Sequence, residues 1–161
     1  MDAQIRAYTD DDIEAIVDLS LLAWEPVFTA WQEILGPDLY PIAIYPNWRK
    51  SQQEGVEKVC GDENTTTWVA EVDGGVVGFI AYEMHQDSKT GEVMMLAVHP
   101  HYQNDGIGTE LNLFALRMFK EAGMKLAVVG TGGDEGHAPA RRSYEKAGYT
   151  GLPLVRYYQA L

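Results

Sequence analysis

The spacing of apolar positions changes period several times along the chain. Thr9 precedes Asp10, Asp11 and Asp12, and apolar side chains then recur at Ile13, Ile16, Val17 and Leu19. A hydroxyl and carboxylates suit the free N–H groups and positive end of a helix, and this spacing keeps one face apolar. Pro26 is expected to kink or end that helix. Residues 4–8 alternate as a first strand, and residues 47–59 read as a second helix stopped near Gly61. The period then falls to two. Residues 66–72, 76–86 and 92–98 read as an antiparallel meander, turned at Asp73-Gly74-Gly75 and across residues 86–91. Helical spacing returns over residues 106–122, with Leu111, Leu113, Phe114, Leu116, Met118 and Phe119 as the stripe and Gly123 as the stop. Residues 126–130 form a short apolar strand. Pro139 opens a further helix ending at Gly148, and residues 152–159 read as a closing strand.

The order β-α-α-β-β-β-α-β-α-β predicts an α/β (α+β) fold, with a mixed, mostly antiparallel central sheet and helices on both faces. The unit from strand 92–98 through helix 106–122 to strand 126–130 is expected to be a right-handed parallel crossover. No repeat, low-complexity tract or linker interrupts the sequence, so residues 1–161 are read as one domain. Residues 24–48 are rich in aromatics and prolines and read as an irregular segment, either a packed connection or one wall of a substrate pocket.

Charge narrows the function classes. Twelve Lys and Arg against 24 Asp and Glu give a net charge of −12, which disfavours nucleic acid and anionic membrane as partners and favours cations. No stretch approaches the roughly 20 apolar residues of a membrane span, and the N-terminus resembles no signal peptide. The single cysteine, Cys60, forms no intramolecular disulfide, which fits a cytoplasmic location; its setting beside Val56 and Val59 reads as a buried thiol. His99-Pro100-His101 lacks clustered partners, so no metal is expected.

The candidate chemistry sits at residues 98–111, VHPHYQNDGIGTEL. A strand enters a helix through Gly106 and Gly108, where backbone N–H groups have no helical partner and a pyrophosphate is the natural guest. The dinucleotide fingerprint fails because Leu111 occupies its third glycine position, and the P-loop fails because no Gly-Lys-Ser/Thr exists. What remains is Gln103-x-x-Gly106-x-Gly108. This stretch resembles the acetyl-CoA signature of the GCN5-related N-acetyltransferases (GNAT), Gln/Arg-x-x-Gly-x-Gly/Ala. The preceding residues 94–100 are similar to that family's fourth strand. Residues 140–149, with Tyr144-Glu145-Lys146-Ala147-Gly148-Tyr149, are similar to its Tyr-Glu-Lys-x-Gly-Phe helix end.

The resemblance implies acetyl-CoA as co-substrate. The backbone N–H groups of Asn104, Asp105, Gly106, Ile107, Gly108 and Thr109 would meet the pyrophosphate, and Gln103 would shape the loop. Leu96, Ala97, Val98, His137, Ala140, Tyr144 and Lys146 would line the rest of the coenzyme A path. Three positions depart from the family pattern: Asn104 and Asp105 stand where basic residues are common, and His137 stands where asparagine is usual. The resemblance makes Tyr144 the candidate acid for the departing thiolate. The candidate bases are Glu92 and Asp134. Trp24, Phe28, Glu83, Asp134 and Glu135 are candidate substrate-binding residues, the carboxylates gathering a small cationic amine. Similarity to the small aminoglycoside N-acetyltransferases favours an aminoglycoside acceptor. Polyamines and other small amines, peptide or protein amines, and a non-catalytic acetyl-CoA sensor are the alternatives. A homodimer through residues 152–159 is a further expectation.

Overall fold

The computed structural model describes residues 2–44 and 47–161. Strand β1 (Gln4–Ala7) begins the sheet and carries the first of its long-range ties. The Arg6 guanidinium donates two hydrogen bonds to Asp12, each 2.9 Å, and a third of 2.9 Å to Glu71. Asp12 also accepts the Thr9 N–H at 2.8 Å. The helix start read from Thr9 and the three aspartates is therefore fixed to the sheet. The Arg6 bonds, followed by the Thr9 N–H, outweigh burial and hold the Asp12 carboxyl at about 2.

Helix α1 (Ile13–Ala43) buries Ile16, Val17, Leu19, Ser20 and Val27. Pro26 neither ends it nor belongs to an irregular segment, contrary to the expectation for residues 24–48. The helix runs through the proline, which removes one N–H and leaves the Leu22 carbonyl without its usual i+4 donor. The break falls at Gly36, whose φ of 72° and ψ of 179° are non-helical, and Pro37 then begins the second segment. Tyr45 and Pro46, part of the same expectation, lie outside the described residues.

Helix α2 (Trp48–Gly61) is followed by strands β2 (Thr65–Val72), β3 (Gly75–His85) and β4 (Thr90–Val98), then helix α3 (Ile107–Glu121), strand β5 (Leu126–Val129) and helix α4 (Ala138–Lys146). The sheet order is β1-β2-β3-β4-β5, antiparallel except for the β4–β5 pair. Strand alternation splits the core in two. Ile80, Tyr82, Val93 and Val98 pack with Leu111, Ala115 and Phe119 of α3 on one face. Val69, Phe79, Ala81 and Ala97 pack with Ile16, Leu19 and Val56 of α1 and α2 on the other. Gly91 of β4 lies flat under the Phe119 ring, where any Cβ would overlap it.

The expected closing strand is absent. Residues 150–161 join no strand and are exposed, with Leu152 at 81% and Tyr157 at 90%. Apolar alternation permits a strand but does not supply an edge to pair with. β5, one of the two edges of the sheet, is only four residues long. Among the described residues no helix is long and apolar enough to cross a membrane.

Because Asp12 titrates below its ordinary value when folded, its stabilisation is present above about pH 4 and is lost as pH falls toward about 2. Asp12→Asn is expected to cost about 1–2 kcal/mol at neutral pH, after allowance for the partly exposed Arg6. Chemical denaturation of both proteins across that acid range checks this: the loss between them must shrink as the pH falls.

Candidate active site

The site begins where two strands part. β4 and β5 pair over four positions only, from Thr90–Leu126 to Val93–Val129. Immediately beyond lies a bulge: Tyr82 of β3 pairs with Val93 and Ala81 with Met95, so Met94 is the extra residue. From there to Val98 the edge of β4 facing β5 has no ladder partner among the described residues. A cavity of about 530 Å³ opens in this region. Its walls are Leu96 and Val98 of β4, Leu22, Trp24 and Val27 of α1, the loop into α3, and residues 135–146 around the start of α4.

The two glycines of the bend serve different ends. Gly106 caps α3 at φ 87°, a left-handed conformation, and a Cβ there would meet nothing within 4 Å. The first helical bond runs from Glu110 N–H to Gly106 O at 2.9 Å, so the N–H groups of Ile107, Gly108 and Thr109 precede any helical acceptor. Gly108 instead allows close packing: a Cβ there would stand 3.2 Å from Ser143 Oγ on α4. Asn112, fully buried, completes that junction by donating to Gly108 O at 3.0 Å and Ser143 Oγ at 2.9 Å. Gln103 Nε2 donates to Val98 O at 3.0 Å and ties the loop to the end of β4. An open helix N-terminus facing a cavity, with Arg142 and Lys146 on the same wall, suits a phosphorylated ligand.

The loop from β5 to α4 forms the opposite side. Asp134 is held by Trp31 Nε1 at 3.1 Å, His137 N–H at 3.2 Å and His137 Nδ1 at 2.7 Å. Arg141 donates to the carbonyls of Gly132 and Asp134, both at 2.6 Å. Burial alone would raise the Asp134 carboxyl, but the His137 contact and then the Trp31 indole hold it below its usual range. Gly136 lies against α1, where a Cβ would be 2.6 Å from Val27 Cα and 2.7 Å from Pro26 O.

The expected residues divide between the cavity and its surroundings. Leu96, Val98, Gln103, Asn104, Gly106, Gly108, Thr109, His137, Ala140 and Lys146 line it, as do Trp24 and Glu135. Asp105 is exposed, Ile107 is buried in the α3 core, and Ala97 faces α1 and α2. Tyr144 is buried with its ring 5.9 Å from that of Tyr149 and is not in the wall; burial first, then Tyr149, pushes its hydroxyl up to about 12. The carboxylates expected as bases also lie outside the wall. Asp134 is engaged as described, and Glu92 meets His85 Nε2 at 3.0 Å. Glu83, opposite Glu92 in the β3–β4 register, accepts from Thr65 at 3.2 Å. Phe28 stacks on Trp48 at 4.4 Å beside a smaller recess. Leu22, Trp31, Asn112, Arg141 and Ser143 were not anticipated. The polar Asn112 within the apolar stripe of α3 was the available signal for one of them. No group of three His, Cys, Asp or Glu side chains is arranged for a metal among the described residues.

The model of the acetyltransferase (GNAT) family matches residues 23–149, and the chain belongs to this family. A mycothiol acetyltransferase of Thermomonospora curvata is 33% identical over 93 residues, which span 58% of this chain and 30% of that protein. The PaiA N-acetyltransferase of Thermoplasma acidophilum, solved with coenzyme A, superimposes with a TM-score of 0.66 at 18% identity, covering 93% of this chain and 91% of that one. The aminoglycoside 6'-N-acetyltransferase AAC(6')-IG of Acinetobacter haemolyticus gives a TM-score of 0.63 at 10% identity, covering 98% of each chain. At these identities the two structures establish a shared fold.

Gly136→Ala forces the 130–137 loop away from backbone atoms that cannot yield, and is expected to cost about 1–3 kcal/mol. Gly133→Ala, three residues earlier and with nothing within 4 Å of the new methyl, is expected to stay within about 0.5 kcal/mol. Thermal melts of the pair decide whether the α1 contact holds the loop.

Proposed function

We propose that this chain is an acetyl-CoA-dependent N-acetyltransferase that moves the acetyl group to a primary amine of a cationic small molecule, by direct attack in a ternary complex. The observation that carries the reading is the continuity of the cavity. It runs from the open N-terminus of α3 along the unpaired edge of β4 to His137 and Trp24. A volume of about 530 Å³ suits a small acceptor beside a cofactor arm. The residues present fit coenzyme A: free N–H groups at residues 107–109 and the cations Arg142 and Lys146 for phosphate, and an extended strand edge for the pantetheine amides.

Bound acetyl-CoA supplies the activated thioester. The chain must orient the amine, accept its proton, donate to the developing oxyanion and exclude water. Backbone N–H groups on the unpaired stretch of β4 are the proposed donors to the oxyanion. Tyr144 is the proposed donor to the leaving sulfur, its high hydroxyl value keeping it protonated at neutral pH. That role requires its hydroxyl to reach the cavity when the cofactor is bound.

The acceptor class rests on charge. Glu110 and Glu135 line the cavity of a chain with net charge −12, and Trp24 offers an apolar face beside them. Among cationic amines an aminoglycoside is the first choice. The acceptor of the mycothiol acetyltransferases is the second, favoured by the 33% identity over 93 residues. A second copy of the chain is the proposed partner for the exposed tail, since Leu126 and Val128 of the edge strand β5 are exposed as well.

Acetyl-CoA-dependent thiol release against several aminoglycosides, spermidine, a mycothiol-type amine, a lysine peptide and no acceptor tests this reading. Release with an aminoglycoside alone, slowed at least about 10-fold in Tyr144→Phe without a change in KM, is the expected result. Acetyl-CoA binding without release on any amine overturns it in favour of a sensor.

A further inference from the structure

The least explained feature of the cavity wall is the pair His137 and Asp134. A surface histidine costs nothing to hold, yet this one is fixed by the whole loop around it. Its Nδ1 lies 2.7 Å from Asp134 Oδ1, and both side chains are largely buried, His137 at 15% and Asp134 at 5% exposure. Gly132 is bare because a Cβ would overlap Asp134 Oδ1 and His137 Nδ1. Trp31 Nε1 and the His137 N–H occupy the rest of the carboxylate, and Arg141 clamps the loop through the Gly132 and Asp134 carbonyls. Asp134 thus fixes the ring orientation and the tautomer: a carboxylate acceptor requires a proton on Nδ1. Nε2 is then an acceptor, makes no hydrogen bond to the protein among the described residues, and belongs to a ring in the cavity wall.

We propose that His137 is the general base of the acetyl transfer, with Asp134 as its positioning residue. The inference rests on the acetyltransferase reading above and assigns the proton acceptor that reading requires. The acceptor arrives as an ammonium and gives one proton to His137 Nε2. The free amine nitrogen bonds to the acetyl carbon, and the carbon–sulfur bond breaks. Tyr144 protonates the departing thiolate and is itself reprotonated by the second nitrogen proton, and the first leaves His137 for solvent, so the products are amide, thiol and one proton. Asp134 keeps Nδ1–H oriented and faces the transient imidazolium with an opposite charge, in the buried setting where such a pair is strongest. Other charged groups facing this site are Glu135 beside the ring, Glu110 of α3, and Arg141, Arg142 and Lys146 of α4. No carboxylate other than Glu135 and Glu110 shares the cavity wall, and neither is held in a fixed orientation by a hydrogen bond among the described residues.

Two measurements test this. The first needs no acceptor: nitrogen-detected NMR of the imidazole must show the proton of neutral His137 on Nδ1 in the intact chain and the preference lost in Asp134→Asn. A proton on Nε2 in the intact chain overturns the assignment. The second uses whichever amine releases thiol. His137→Ala is expected to lower kcat by about 10²–10⁴-fold, to lose the acid limb of the kcat/KM profile, and to regain activity with added imidazole. Because the resemblance also places His137 on the coenzyme A path, acetyl-CoA affinity measured by calorimetry is expected to fall by far less than kcat. A parallel fall in acetyl-CoA affinity, or unchanged kcat, overturns the role. Silence of the intact chain on every amine tells against the acetyltransferase reading instead, while the NMR result still decides whether the dyad exists as drawn.

Discussion

Everything at this site depends on β4 and β5 ceasing to pair after Val93 and Val129. A parallel pair that continued would satisfy the backbone of β4 and leave no room between the strands. Here the ladder is cut on one side by the Met94 bulge and on the other by Gly130 and the loop that follows. The strand edge that results is polar, extended and half enclosed, a surface on which an extended amide-bearing ligand can lie. The cost is a weakened sheet at that end, offset by helices drawn across the gap. α3 meets α4 through Gly108, Asn112 and Ser143, and α1 meets the 130–137 loop through Val27 and Gly136. Both junctions use glycine to bring backbone close to the neighbouring helix.

This arrangement explains why the same loop can be glycine-rich and rigid. Gly132, Gly133 and Gly136 suggest mobility by composition. In the structure Gly132 makes room for two polar side chains and Gly136 for a helix, while Gly133 alone has open space. Conformational freedom in the unfolded chain is high, but the folded loop is tied by Trp31, Arg141 and the Asp134–His137 pair. Order here comes from specific polar contacts, and those contacts converge on one imidazole.

Most of the fold was legible because it follows from local pattern. The switch from helical to alternating spacing located α3 and the meander to within a residue or two, and Gly123 and Gly148 stop their helices at φ 79° and 100°. The bend into α3 was legible too, since the left-handed Gly106 that caps the helix has a local physical reason. What failed was non-local. Of the two expectations for Pro26, a kink or a stop, the stop failed because the sequence does not show that tertiary packing of Val27 and Leu19 carries α1 past it. Residues 152–159 looked like a strand because alternation is visible and the lack of a partner is not. Asp134 was singled out for its charge and His137 for its place in a motif. That the two touch at 2.7 Å depends on a 3-10 turn over Glu135–His137 and on Trp31, more than a hundred residues away.

A net charge of −12 and the proposed phosphorylated cofactor pose an apparent conflict. Distance resolves it. Exposed charges act over about 8 Å at physiological ionic strength, so most of the acidic surface is screened from the phosphate position. What acts at contact range is the set of free N–H groups at the start of α3, which have no helical acceptor, together with Arg142 and Lys146. Asp105, in the middle of that loop, is exposed to solvent, and Asn104 beside it takes a left-handed φ of 71°. Backbone dipoles fixed by the fold favour an anion there, and of the Lys and Arg side chains only Arg142 and Lys146 line the cavity among the described residues. On the proposed reading, phosphate held by main chain at the start of α3 leaves Glu135, in the loop before α4, free to meet a cationic acceptor within the same cavity of about 530 Å³.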